Sequence, residues 1–277
     1  MRTLVQVSDL HFGAIDESLL DPLRGRVAAL APDVLVVSGD LTQRAKAAQF
    51  QAARRYLDSL PHPQVIVPGN HDVPLYDVVR RFLSPLGKYR RYVAPEEETA
   101  FLDEELAVVG VSTVRSLVVK AGRINVRQVE RVRTIFRDAP AGATRVVVTH
   151  HPLELPSAWD EQDQVAGRAS MALASLAQCG ADVYLSGHLH RAHSGDVEAF
   201  VEARRGSPLI VAAGTATSTR GRGEANSFNV LRIDGGRIAV EHFCWDDAAR
   251  DFSAGPARVF RRAPGGGWQQ SEQGKEA

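Results

Sequence analysis

Residues 145–151, RVVVTHH, and residues 183–190, VYLSGHLH, share one pattern: a short apolar run, rich in β-branched residues, that stops at a pair of histidines. Val146–Thr149 and Val183–Leu185 have the composition of buried strands, and histidine is a poor choice for extending either. The same pattern recurs three times upstream. Thr3–Val7 runs into Ser8-Asp9-Leu10-His11, Val34–Val37 into Ser38-Gly39-Asp40, and Val65–Val67 into Pro68-Gly69-Asn70-His71-Asp72. Five strand ends therefore deliver Asp, Asn or His, three of them just after a glycine. Ala107–Val111 and Leu209–Ala212 are further strands. Helical patterns lie between, at Leu19–Leu30, Ala45–Leu60, Val73–Leu83, Val126–Arg137 and Ala169–Gln178, with Asn125 and Gln128 forming a capping pair.

This βαβα rhythm predicts a mostly parallel sheet in the first half. After Ser207 the helices stop, and PLIVAAGTAT, FNVLRI and RIAVEHFCW read as consecutive strands, the last two joined by a turn at Asp234-Gly235-Gly236. A second sheet packed on the first follows. The expected fold class is α/β, a two-sheet β-sandwich flanked by helices, in one domain over residues 1–263. From Pro264 the Gly, Gln and charge content predicts a disordered tail over 264–277. Ser218–Asn226 reads as a polar loop with two arginines.

Bulk composition narrows the function classes. A chain of 277 residues buries roughly 75% of its unfolded surface and needs no disulfide or structural zinc. Cys179 and Cys244 read as reduced core thiols. Lys+Arg and Asp+Glu both total 33, which leaves no global charge for duplex nucleic acid or an anionic membrane. No apolar run reaches the ~18–20 residues of a membrane span, and the start has no signal-peptide pattern. A cytoplasmic location is expected.

In open α/β sheets, ligands bind at the carboxyl ends of strands, so these dispersed residues can converge. All are oxygen or imidazole donors and none is a thiolate, which suits Mn, Fe, Zn, Ni or Co. In Asp-x-His and His-x-His both side chains leave the same side of an extended segment.

The set SDLH, SGD, PGNHD, THHP and SGHLH resembles the calcineurin-like metallophosphoesterase superfamily, over roughly residues 1–245. The start and the GHLHRAH block are most similar to bacterial class III cyclic-nucleotide phosphodiesterases. The resemblance implies an αββα sandwich with two divalent or trivalent metal ions, such as Mn, Fe, Zn or a mixture. By motif position Asp9, His11 and His190 would hold one ion, Asn70, His150 and His188 the other, and Asp40 would bridge them. His71 would be the catalytic histidine pointing at the substrate. Whether His150 or His151 is the ligand stays open. The implied reaction is phosphodiester hydrolysis, with a metal-bridging hydroxide attacking phosphorus in line.

Two alternatives stand beside it: a pyrophosphohydrolase acting on a UDP-lipid, as in lipid A synthesis, and a protein-interaction module on the same fold. The expected partner is a small phosphodiester or nucleotide-type substrate, with peripheral lipid contact and a homodimer left open. Arg80, Arg81, His151 and His193 are candidate substrate contacts. The basic and aromatic run over 76–92 reads equally as an amphipathic helix with its apolar side in the core. Asp72 is expected to cap the following helix or to form a salt bridge.

Overall fold

Alternate residues of each strand enter different layers, and this sorting builds the fold. The computed structural model describes residues 1–97, 99–117, 120–155, 164–189, 201–203, 208–220 and 224–271. In order, the chain forms β1 (Arg2–Val7), α1 (Leu20–Ala29), β2 (Val34–Val37), α2 (Ala47–Asp58), β3 (Gln64–Ile66), α3 (Val78–Leu83) and α4 (Gly87–Tyr92). Next come β4 (Ala100–Leu102), β5 (Leu106–Gly110), α5 (Val126–Asp138), β6 (Thr144–Val148), α6 (Ala169–Gln178) and β7 (Val183–Ser186). The remainder is β8 (Val201–Ala203), β9 (Leu209–Ala212), β10 (Ser227–Asp234), β11 (Arg237–Asp246), β12 (Asp251–Ala254), β13 (Arg258–Arg262) and β14 (Trp268–Gln270).

One sheet runs β14-β13-β11-β10-β1-β2-β3, with β12 also paired to β11, and the other runs β4-β5-β6-β7-β9-β8. Both have parallel centres: β1 with β2 and β2 with β3 in the first, β5, β6, β7 and β9 in the second. Leu4, Val34, Val36 and Val65 of the first sheet meet Val108, Val146, Val183 and Leu209 of the second in the central core. Their neighbours point the other way. Val5, Leu35 and Val37 pack under Val27 of α1 and Phe50 and Leu57 of α2. Ala107, Val147 and Tyr184 pack under Val132 and Phe136 of α5 and Leu176 of α6. Strands buried on both faces need apolar residues at every position, which is why these runs lack an alternating pattern. The result is a helix–sheet–sheet–helix sandwich, the expected class.

Buried amides join the two sheets at one end. Gln6 Nε2 donates to Ser186 O at 2.9 Å and to Ser38 Oγ at 3.2 Å. Asn229 Nδ2 donates to Gln6 Oε1 at 3.1 Å and to Ala212 O at 3.0 Å. His242 completes the group through Nδ1 and Asn229 Oδ1, 2.8 Å apart.

Four expectations are corrected. The late strands do not form a sheet of their own: β9 continues the second sheet beside β7, whereas β10 and β11 extend the first beyond β1. The helix expected over Val73–Leu83 begins only at Val78. Pro74 disfavours the helical conformation at Val73, which is extended, and Asp77 supplies the cap by accepting from Arg80 N at 3.1 Å. The tail expected from Pro264 instead begins with a strand, because β14 pairs with β13 and carries Trp268, fully buried, into the central core. Trp268 Nε1 donates to Asp182 O at 3.0 Å. Cys179 and Cys244 are free thiols, but only half-buried.

Candidate metal centre

Beyond β1 and β2 the chain keeps pairing as it turns: Asp9 N donates to Gly39 O, His11 N to Asp40 O and Phe12 N to Leu41 O, at 2.9–3.0 Å. Asp9, His11 and Asp40 take positive φ in these turns, 53°, 52° and 51°, and His188 after β7 takes 76°. The left-handed region costs a non-glycine residue about 1–2 kcal/mol, so this backbone is held by its surroundings. Glycine is required where the loops touch. A Cβ on Gly69 would stand 2.1 Å from Asp40 Oδ1, and one on Gly39 would stand 2.3 Å from His150 Nδ1.

Asp72 clamps this frame. It is buried and accepts from Gly69 N, Leu41 N, Thr42 N and Thr42 Oγ1 at 2.9–3.1 Å. It therefore ties the turn after β3 to the turn after β2, and among the described residues it neither caps α3 nor forms an ion pair. Burial, with the charge of Asp40 beside it, pushes its carboxyl up to about 6. Thr215 and Thr217 brace the first turn through bonds from their hydroxyls to Asp9 O and Leu10 O, at 2.8 and 2.9 Å.

On this frame the sequence candidates from both sheets meet. Asp40 Oδ1 accepts from His71 N at 2.8 Å. Its Oδ2 lies 3.6 Å from His11 Nε2 and 3.5 Å from His150 Nε2, is fully buried, and among the described residues has no hydrogen-bond partner. His150 Nε2 is also 3.1 Å from Asn70 Oδ1 and 3.2 Å from His188 Nδ1. Its Nδ1, 2.8 Å from Ser38 O, holds the proton and fixes the ring. Asp9 Oδ1 is 3.6 Å from His11 Nε2, and Asp9 Oδ2 accepts from Ser8 Oγ and His188 N. Burial would raise the Asp40 carboxyl, but His150, His11 and His71 around it hold it well below the usual carboxylate range. Burial would likewise lower His150, yet the charge of the Asp40 carboxylate 3.5 Å away, helped by Asp9, pushes it up to about 9.

The donor set fits metal ions. Donor atoms of His11, Asp40 and His71 lie within 4.8 Å of one another, as do those of Asp9, Asp40 and His150 and those of His150, His151 and His188. A buried carboxylate oxygen without a donor, between imidazoles, is where a cation would relieve an unmet electrostatic demand. Proximity overstates two members. His151 is fully buried with Nδ1 2.7 Å from Thr113 Oγ1 and Nε2 2.8 Å from Lys120 O, so both ring nitrogens already have partners. Burial, with His150 and His188 nearby, holds it well below its ordinary pKa. His71 directs Nδ1 to Gln43 O at 3.0 Å, and its Nε2 meets the guanidinium of Arg220 at 3.1 Å. Burial lowers this imidazole, against the pull of Asp40.

Other candidates are not brought to the centre. Arg81 is buried in bonds to Ser116 O (2.8 Å) and Pro74 O (3.1 Å), and Arg80 is exposed beside Asp77. His190 and His193 lie outside the described residues. Two site residues were missed. Arg220 reaches His71 from a segment read only as a polar loop, and Arg44 NH1 lies 3.4 Å from His71 Nδ1. The signal for Arg44 was its place in Thr42-Gln43-Arg44, directly after the Gly39-Asp40 turn.

Residues 2–192 match the Calcineurin-like phosphoesterase family. Among curated proteins the chain is 27% identical over 204 residues to the 3',5'-cyclic adenosine monophosphate phosphodiesterase CpdA of Escherichia coli K12, covering 68% of this chain and 69% of that one. It is 26% identical over 179 residues to the glycerophosphodiester phosphodiesterase GpdQ of Enterobacter lignolyticus, covering 59% and 61%. Purple acid phosphatase PPD1 of yellow lupin shares the fold, with a TM-score of 0.67 at 12% identity over 95% of this chain and 54% of that one. The chain belongs to the calcineurin-like phosphoesterases and is a hydrolase of phosphoester bonds.

Proposed function

We propose that the chain is a metal-dependent phosphodiesterase acting on a small diester, such as a cyclic nucleotide. The observation that carries this reading is the Asp40 carboxylate, shared by donor clusters that draw on both sheets. Asp9, His11 and Asp40 would hold one divalent ion and Asp40, Asn70, His150 and His188 a second, with His190 assigned to the first by its motif alone. When bound, such a pair acidifies water and neutralises charge on the phosphoryl oxygens. His150 rather than His151 is assigned as ligand, because Nε2 of His150 faces Asn70, His188 and Asp40 while His151 is bonded to Thr113 and Lys120.

His71, whose Nε2 lies 3.1 Å from the Arg220 guanidinium, is the group assigned to exchange a proton with the leaving oxygen, taking one up on Nε2 before giving it. Its Nδ1–H is anchored on Gln43 O, which leaves Nε2 for that exchange. Arg220 and Arg44 flank it and would bind the anionic ester, since a guanidinium forks onto two phosphoryl oxygens. Names of relatives support a diester over a monoester: CpdA and GpdQ are both phosphodiesterases.

The test compares manganese-loaded wild type with Asp40→Ala on bis(p-nitrophenyl) phosphate, p-nitrophenyl phosphate and cyclic AMP. Diester cleavage well above monoester cleavage, lost in the variant, is expected. Preference for the monoester, or full activity in Asp40→Ala, overturns the proposal.

A further inference from the structure

Among the described residues, nine large hydrophobic side chains are exposed, and six of them fall in one region: Tyr76, Val78, Val79, Phe82, Leu83 and Leu117, each between 52% and 82% exposed. Five come from α3 and the turn before it. Leu117 comes from the loop beside it, since Arg81 of α3 donates to Ser116 O at 2.8 Å.

The helix is inside out, and Arg81 is the reason. At 100° per residue, Val78, Phe82, Val79 and Leu83 occupy a continuous arc of about 140°. Arg81 lies outside that arc, is 7% exposed, and is held by Ser116 O and Pro74 O. Buried guanidinium hydrogen bonds are costly to break, so this anchor fixes the apolar arc toward solvent. The amphipathic helix expected over 76–92, with its apolar side in the core, is thus reversed at α3, whereas α4 keeps the expected sense, with Leu86 and Tyr89 buried in the core.

Beside the arc lies a groove of about 430 Å³ lined by Arg80, Lys88, Arg91, Tyr92 and Pro74, with no acidic residue in its lining. An apolar ridge bordered by Lys88, Arg91 and Arg80, the last paired with Asp77, on a chain of zero net charge is a surface that an anionic bilayer complements. Apolar side chains enter the acyl boundary while Lys and Arg meet headgroup phosphates.

We infer that α3 and the adjoining groove form a docking surface for an anionic phospholipid bilayer. The inference stands apart from the assigned chemistry, because vesicle binding is read without turnover.

The test is cosedimentation of the full chain with phosphatidylglycerol or phosphatidylcholine vesicles, for wild type, Phe82→Asp/Leu83→Asp and, on the neighbouring loop, Leu117→Asp. Binding to phosphatidylglycerol is expected to be at least tenfold tighter than to phosphatidylcholine and to weaken as salt rises. The double variant should lose at least tenfold, with bis(p-nitrophenyl) phosphate turnover unchanged. Absence of pelleting, or equal pelleting by the double variant, refutes it. So does a lipid-free dimer in light scattering that the double variant dissolves, because the ridge would then belong to a second copy of the chain.

Discussion

The Asp40–His150 pair makes the metal-free protein sensitive to mild alkali. His150 is fully buried, and Asp40 lifts it from 6.5 to about 9. A group whose folded pKa is raised adds stability that is complete below its unfolded value and is lost as pH rises through the folded one. The window here runs from about 6.5 to about 9. At 1.36 kcal/mol per unit, the loss across it is about 3 kcal/mol. Asp40 contributes with the opposite sign: its lowered carboxyl adds stability present above about 3.8 and lost only as pH falls further, so it is constant in this window. Urea unfolding with a chelator at about pH 6 and roughly pH 9.5 reads the difference. Asp40→Asn removes the charge that holds the proton, and its stability should vary far less over the same interval. Parallel profiles for wild type and Asp40→Asn would refute the assignment. Loading the protein with manganese should flatten the wild-type profile, because a cation replaces the proton at the same donors.

Three further outcomes follow from the site and the core. Arg220→Ala removes the guanidinium at His71, and KM for the diester should rise about tenfold, with metal content unchanged; an unaltered KM would take Arg220 out of the site. His150→Gln should lose bound metal while His151→Gln retains it, and the reverse in elemental analysis would exchange their roles. Trp268→Ala should cost about 3–5 kcal/mol in urea unfolding, and a loss below about 1 kcal/mol would mean that β14 is not part of the core.

The site was more legible in the sequence than the periphery. Short strands buried on both faces are continuous apolar runs, and a polar residue closing such a run has nowhere to go but the end of the sheet. Asp9, Asp40, Asn70 and the pair His150-His151 could be placed at strand ends for that reason, with the choice within the pair left open. Trp268 was not, because Gly265, Gly266 and Gly267 before it form a turn whose composition matches a disordered tail, and only pairing with β13 reveals a strand. The orientation of α3 was equally hidden. Its sequence is amphipathic in either direction, and the carbonyls that capture Arg81 come from Pro74 and a loop 35 residues away. Arg220 reaches His71 across 149 positions, a distance no local pattern spans.

Candidate ligands ride on separate sheets: Asp9, His11, Asp40 and Asn70 follow β1, β2 and β3, whereas His150 and His188 follow β6 and β7. Apolar packing between sheets is non-directional and tolerates a small slide. Hydrogen bonds do not, since they weaken steeply with distance and angle. The amides of Gln6 and Asn229 therefore work as dowel pins in the joint, locking Ser38 and Ser186 at the bases of the two half-sites. The gap between the halves is thus held by two side chains outside the proposed ligand set, alongside the bonds from His150 Nδ1 to Ser38 O and from His188 N to Asp9 Oδ2, so a change at either amide would reach the site without altering a ligand.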